Sequence, residues 1–197
     1  KKLFLTAAVA VSSLTFAQQF GAKAGMNVST ISDEGFDDTK SKVGYYAGVF
    51  MNVPVSESFS IQPEVLYNNL GSKVSSTVSG TTYSSTLNLD YVAVPVMFQY
   101  KATPQFYLEA GPEFGFLVNA KQKFDDGSSS TVTELDKEDF NSFNMGVGLG
   151  LGFDISKNVG LNARYVAGFS DITKESGPAA DAKNKNNAFQ VGLNIKF

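Results

Sequence analysis

Residues 143–155 read FNMGVGLGLGFDI, and the way they alternate decides the fold. Phe143, Met145, Val147, Leu149, Leu151, Phe153 and Ile155 take every odd position, and Asn144, Gly146, Gly148, Gly150, Gly152 and Asp154 take every even one. A period of two sends the two sets to opposite faces of a β-strand, whereas a helix would need a period near 3.6. The glycines at 146–152 have the look of a phosphate-binding loop, but that loop links a strand to a helix and no helical pattern follows here. The stretch is therefore a strand with one bulky apolar face and one nearly bare face.

The same alternation picks out seven more segments: 19–27, 43–53, 59–67, 91–100, 106–118, 159–169 and 188–197. In 59–67, for example, Phe59, Ile61, Pro63, Val65 and Tyr67 oppose Ser60, Gln62, Glu64 and Leu66. The connections alternate too. PVSES, KATPQ and SKN are short, while hydrophilic stretches after strand one, over about 68–88, about 119–141 and about 170–187 are long. Short turns at one end and long loops at the other describe an antiparallel meander whose ends face different compartments. The expected fold is all-β, an eight-stranded antiparallel up-and-down transmembrane β-barrel. A soluble lipocalin-like barrel would need a charged outer face, but the polar set here is rich in Gly, Asn and Ser, which suits a crowded interior.

Residues 1–17 fit a secretory signal peptide: Lys1 and Lys2, an apolar run from Leu3 to Val11, then Thr15 and Ala17 as the small residues of a cleavage site. That run is too short to span a bilayer, and nothing after it approaches the length of a transmembrane helix. The remaining residues, 18–197, are expected to form one barrel domain. Without 1–17 the chain has 14 basic and 19 acidic residues, a net charge of −5, which disfavours a nucleic-acid partner. There is no Cys, so backbone pairing and packing must hold the exported fold. There is no His either, and without His or Cys the usual nucleophile–base pairs and transition-metal clusters are missing, so no enzymatic activity and no cofactor are expected. Trp is absent as well, leaving interfacial aromatic belts to Tyr and Phe, for example Tyr45, Tyr67, Tyr91 and Tyr100.

On the inward parity, Lys23, Glu64, Glu109 and Arg164 each lie a few residues from the short-turn end of their strands, which places them at similar depth, with Glu113 one step further along. Charges at membrane depth need partners, so these five are expected to form a network that plugs the lumen; the alternative is a narrow solute path gated by the same groups. Tyr46, Phe50 and Tyr107 are expected to fill the space the glycines of 143–155 leave. Asp33, Glu34, Asp37 and Asp38 in the first loop, and the acids around Asp125 to Asp139 in the third, match no calcium-loop spacing and read as solvated charge; Asp33, Asp37 and Asp38 are the weak metal candidates.

The chain resembles the small outer-membrane β-barrel proteins of Bacteroidetes, the PorT-like or OmpX/OmpA-like barrels often placed in the porin family. The residues behind this are FGAKAGMNVS, GYYAGVFMNVPVSESFSIQPEVLYNNLGSK, LDYVAVPVMFQYK, FYLEAGPEFGFLV and VGLNIKF, of which PVSESFSIQPEVLY is the most specific. The resemblance implies a cell outer-membrane location with periplasmic termini and extracellular long loops. It departs from the pattern at Ala93, where the family often carries a lumen Glu. The last strand, with Phe189, Val191, Leu193, Ile195 and terminal Phe197, looks like the signal by which outer-membrane assembly machinery takes up its substrates. Implied partners are outer-membrane lipid and lipopolysaccharide, that machinery and other cell-envelope proteins. Three roles follow: a structural or surface-interaction barrel first, then a narrow porin-like channel, then a component of a secretion or gliding apparatus.

Overall fold

A computed structural model describes residues 18–32, 40–78, 81–137, 140–172 and 185–197. The expected signal peptide and the metal candidates Asp33, Asp37 and Asp38 lie outside them. The described residues form nine strands: β1 (Gln19–Ser32), β2 (Lys40–Pro54), β3 (Phe59–Val78), β4 (Thr81–Lys101), β5 (Phe106–Asp125), β6 (Ser130–Glu134), β7 (Phe143–Asp154), β8 (Val159–Asp171) and β9 (Lys185–Lys196). Every pairing is antiparallel. The order β4-β3-β2-β1-β9-β8-β7-β5, closed by β4–β5, is a ring of eight strands, while β6 adds to the outer end of β5 alone.

Closure leaves every ring strand paired on both sides, which is what a sheet needs where no water can satisfy an edge. None of the described residues forms a helix long and apolar enough to cross a membrane. The apolar parity points outward: Leu149 is 59% exposed, Val49 57%, Phe98 54% and Leu193 49%. A continuous apolar belt around the whole ring is far beyond the patch that a water-soluble monomer tolerates. Aromatic pairs edge it. Phe59 packs tilted against Tyr100 near the short turns, with ring centroids 5.0 Å apart, and Tyr45 stacks on Tyr67 toward the other end, at 6.1 Å. Phe59 and Tyr67 are eight residues apart on β3, roughly 26 Å along the strand and about 20 Å of height at the usual strand tilt, close to that of a lipid-facing band.

Three expectations need correction. Within the stretch 68–88, residues 68–78 and 81–88 are not loop, because β3 and β4 run on as a ladder to the pair Val78↔Thr81. Backbone hydrogen bonds sustain that ladder without an apolar face, so side-chain alternation is absent where the strand is present. Part of 119–141 is likewise strand, the end of β5 and all of β6. Tyr91 is not a belt residue: it is 2% exposed and packs inside with Ile31, Leu70, Leu89, Leu117, Ala120, Phe140, Ile172 and Ala188, an apolar cluster at the long-loop end.

Candidate functional site

Eight strands leave an interior just wide enough to fill with side chains. In ring order, β1, β3, β5 and β8 occupy alternate places, and they supply Lys23, Glu64, Glu109 and Arg164. Residues from alternate strands share a level, as they do in the layered interiors of other barrels. Arg164 therefore reaches across the lumen to Glu64, whose strand is diametrically opposite. Its Nη1 donates to Glu64 Oε2 at 3.0 Å and its Nη2 to Oε1 at 2.8 Å, a bidentate fork. Its Nε donates to Glu109 Oε1 at 2.8 Å. Lys23 Nζ donates to Glu64 Oε1 at 2.9 Å. The side chains of all four are at most 1% exposed.

Glycine on β7 makes the room. A Cβ on Gly150 would fall 2.9 Å from Glu109 Oε1 and 2.7 Å from the Ala163 carbonyl, so only a bare backbone lets the Arg164–Glu109 pair lie against that wall. The bulky inward residues are more dispersed than expected. Tyr107 does lie over Gly152 of β7, but Tyr46 packs against Gly25 and Gly192, and Phe50 against Gly21. Large side chains thus face small ones around the ring instead of converging on one strand.

Below the ion pairs, toward the short turns, an amide layer fixes the remaining carboxylate lone pairs. Gln62 Nε2 donates to Glu64 Oε1 at 2.8 Å and Gln99 Nε2 to Glu109 Oε2 at 3.0 Å. Asn52 Nδ2 donates to Gln62 Oε1 at 3.1 Å and Gln99 Oε1 at 2.8 Å, tying the two together. A second chain runs from Tyr46 Oη to Asn162 Oδ1 at 2.8 Å, from Asn162 Nδ2 to Asn194 Oδ1 at 2.8 Å and from Asn194 Nδ2 to Tyr107 Oη at 3.0 Å. Neither amide layer follows from the pattern of charges. The signal available was that Asn52, Gln62, Gln99, Asn162 and Asn194 all share the inward parity.

Glu113 stands apart from the other four. It is buried, but it forms no ion pair with a described residue, and its Oε2 makes no hydrogen bond. Phe189, Val191, Leu193, Ile195 and Phe197 are all exposed on the outer face.

What this arrangement can do is block. A guanidinium that spans the ring between two carboxylates, with amides filling the gaps, leaves side chains where water would run. Among the described residues no group of three or more His, Cys, Asp or Glu is placed to hold a metal ion.

A family model described as "Outer membrane protein beta-barrel domain" matches residues 16–174. Among solved structures the chain is similar to Ail, the attachment invasion locus protein of Yersinia pestis, with a TM-score of 0.54 at 14% identity over 92% of this chain and 100% of that one. It is also similar to Neisserial surface protein A, with a TM-score of 0.52 at 13% identity over 92% of this chain and 99% of that one. At such identity the likeness concerns the fold alone. No curated protein matches the sequence.

Proposed function

The chain belongs to the outer membrane protein β-barrel family, and from that premise we propose that it is a closed barrel with a structural and surface-interaction role, not a conducting one. The observation that carries this reading is Arg164, 1% exposed and bonded across the ring to Glu64 while also holding Glu109. A path for solute at that level would have to break charge-assisted hydrogen bonds in a low-dielectric interior, where separating one partner from a buried pair costs about 3–5 kcal/mol.

In this reading the short turns and the termini lie in the periplasm and the long connections face outward, the usual division of an outer-membrane barrel. The outer end then presents the β3–β4 hairpin, whose residues 81–83 and 76–77 are exposed and whose cross-strand pairs include Thr77 with Thr82 at 3.1 Å. This polar ribbon is the surface offered to lipopolysaccharide, to other envelope proteins or to an external partner. No reaction is assigned to the lumen, because Glu64 and Glu109 are neutralised by Arg164 and Lys23 and the sequence supplies no His or Cys to act as base or nucleophile. The finer kinship with PorT-like barrels of Bacteroidetes belongs to the same reading and rests on residues 54–67, where Pro63 stands beside inward Glu64.

Recording from residues 18–197 refolded into planar bilayers tests it. The closed barrel gives no discrete conductance steps. Steps in the wild type that change in Arg164→Ala and Glu109→Ala would replace this reading with that of a narrow channel.

A further inference from the structure

One wall of the barrel changes character just beyond the apolar belt, at the long-loop end. Directly opposite residues of paired strands share a face, and the register sets Lys73 of β3 against Thr86 of β4, and Thr86 against Lys123 of β5. Lys40 of β2 stands opposite Lys73 on its other side, so a single row carries three lysines. Leu70, Leu89 and Ala120 are buried in the apolar cluster, and by the alternation of a strand Lys73, Thr86 and Lys123 therefore take the outer wall. Lys73 and Lys123 are exposed, and neither forms an ion pair with a described residue. Acids on the same face are engaged elsewhere: Glu134 pairs with Lys121 at 3.3 Å, and Asp125 accepts from the Gly127 N–H at 3.0 Å. Lys73 and Lys123 lie two strands apart, roughly 10 Å at the backbone, a span that two lysine side chains can close on one phosphate.

Below this row the wall is concave. Residues 42–45 of β2 oppose only 69–71 of β3, between the pairs Ser41↔Ser72 and Tyr46↔Asn68, and such a bulge bends the strand. Gly71 permits it with a φ of +140°, and a Cβ there would fall 1.9 Å from the Leu87 carbonyl oxygen. The result is a groove of about 700 Å³ on the outer wall. Lys73, Thr86 and Lys123 form its upper part, and Met26, Val43 and Tyr45, 63%, 61% and 56% exposed, form its lower part. Lys42 lies in the floor, buried, its Nζ donating to Asn69 Oδ1 and to the Leu70 carbonyl at 3.2 Å. Asn69 in turn donates to Asp90 Oδ1 at 2.5 Å, so Asp90 balances Lys42 from within the wall, and the charges left to an outside partner are those of Lys73 and Lys123.

We propose that this groove binds one phosphorylated glycolipid of the outer leaflet, with its phosphate between Lys73 and Lys123 and an acyl chain along Val43, Met26 and Tyr45. Cations above and apolar side chains below, in one concavity, match a molecule that is anionic at one end and hydrocarbon at the other. A soluble polyanion would use the lysines alone and leave the lower half of the groove uncovered. The inference rests on the reading that the long connections face outward, and it deepens the expected contact with lipopolysaccharide by giving that contact a place on the barrel.

Native mass spectrometry of refolded residues 18–197 released from detergent containing monophosphoryl lipid A tests it. The wild type is expected to retain one lipid A. At roughly 1 kcal/mol for each lysine near a charged lipid surface, Lys73→Gln combined with Lys123→Gln should cut the retained fraction about tenfold or more. Lys121→Gln, whose ammonium is spent on Glu134, should leave it unchanged. Retention that survives the double substitution, or that is equal for dephosphorylated lipid A, overturns the site, and equal retention of phosphatidylglycerol overturns the choice of a glycolipid. Orientation is read separately. The sequence has no Cys, so Thr82→Cys can be labelled alone on intact cells with a maleimide too large to cross the outer membrane. No label contradicts the outward long connections, whereas label without retained lipid A contradicts the glycolipid site alone.

Discussion

Glu109 and Glu113 lie on the same face of the same strand, four residues apart, both buried, and they live in different chemistry. Glu109 takes Arg164 on one oxygen and Gln99 on the other, at 2.8 and 3.0 Å. Glu113, roughly 13 Å further along β5, has an oxygen with no partner, and two residues on stands a glycine, Gly115, with no side chain to supply one. The difference comes from what the neighbouring strands present at each level. At the first level alternate strands bring two cations inward, and the layer just below adds two amides. At the second they bring Asn68, Tyr91, Ala93 and glycine. The lesson is that burial of a charge says little until its level in the barrel is known: one level is a finished plug, and the other is a socket.

Breaking the finished level is the largest expected effect. Arg164→Ala leaves Glu64 and Glu109 buried without their shared cation and should cost about 3–5 kcal/mol of unfolding free energy, read from urea titration in lipid or detergent. Arg164→Lys keeps the charge but cannot make the fork to Glu64 together with the bond to Glu109, so it should fall between wild type and Ala. Next in size is the outer face. Leu149→Arg places a charge on the lipid side at mid-band and should cost about 2–4 kcal/mol, with no effect on a variant kept in denaturant. Smaller still is Glu113→Gln, which breaks no ion pair; it should stay within about 1 kcal/mol of wild type by the same titration. A loss as large as that of Arg164→Ala would erase the distinction between the two levels.

The smallest effect concerns the connection between β5 and β6. Asp126 accepts from the backbone N–H groups of Ser128 and Ser129 at 2.9 and 2.7 Å, and these bonds hold its carboxyl below the usual range. A carboxyl with a lowered pKa contributes above its ordinary pKa and stops contributing as pH falls through the lowered value. Amide exchange at Ser128 and Ser129, corrected for intrinsic rates, should therefore stay slow through the ordinary carboxylate range and quicken only below it. Asp126→Asn would make that turn insensitive to acid, with the barrel itself unchanged.

How much of this could be read in the sequence follows from where side chains and backbone agree. Between the aromatic pairs, lipid demands apolar residues on one parity, so Val147, Leu149 and Leu151 announce both the strand and its outer face. Beyond the band that demand ends. Residues 72–78 and 81–87 remain a ladder held by backbone bonds, and their Ser and Thr read as loop. Tyr91 is ambiguous in the sequence for a related reason. Its parity put it inside, but a tyrosine near the edge of the band also suits a belt, and only the packing with Leu89 and Leu117 decides. The levels of the inward charges on β1, β3, β5 and β8 were legible because short turns fix the count from one end. Which carboxylate Arg164 reaches was not, since that depends on the ring order and on the room left by Gly150.

The most direct test of the finished level against the socket is a pair of double-mutant cycles measured by reversible unfolding in lipid. Arg164→Ala with Glu64→Gln should show a coupling of about 2 kcal/mol or more, and Arg164→Ala with Glu113→Gln about 0.5 kcal/mol or less. Equal couplings, or a larger one for Glu113, would mean that Arg164 serves both carboxylates alike, and would contradict the account of a plug at one level and a socket at the other.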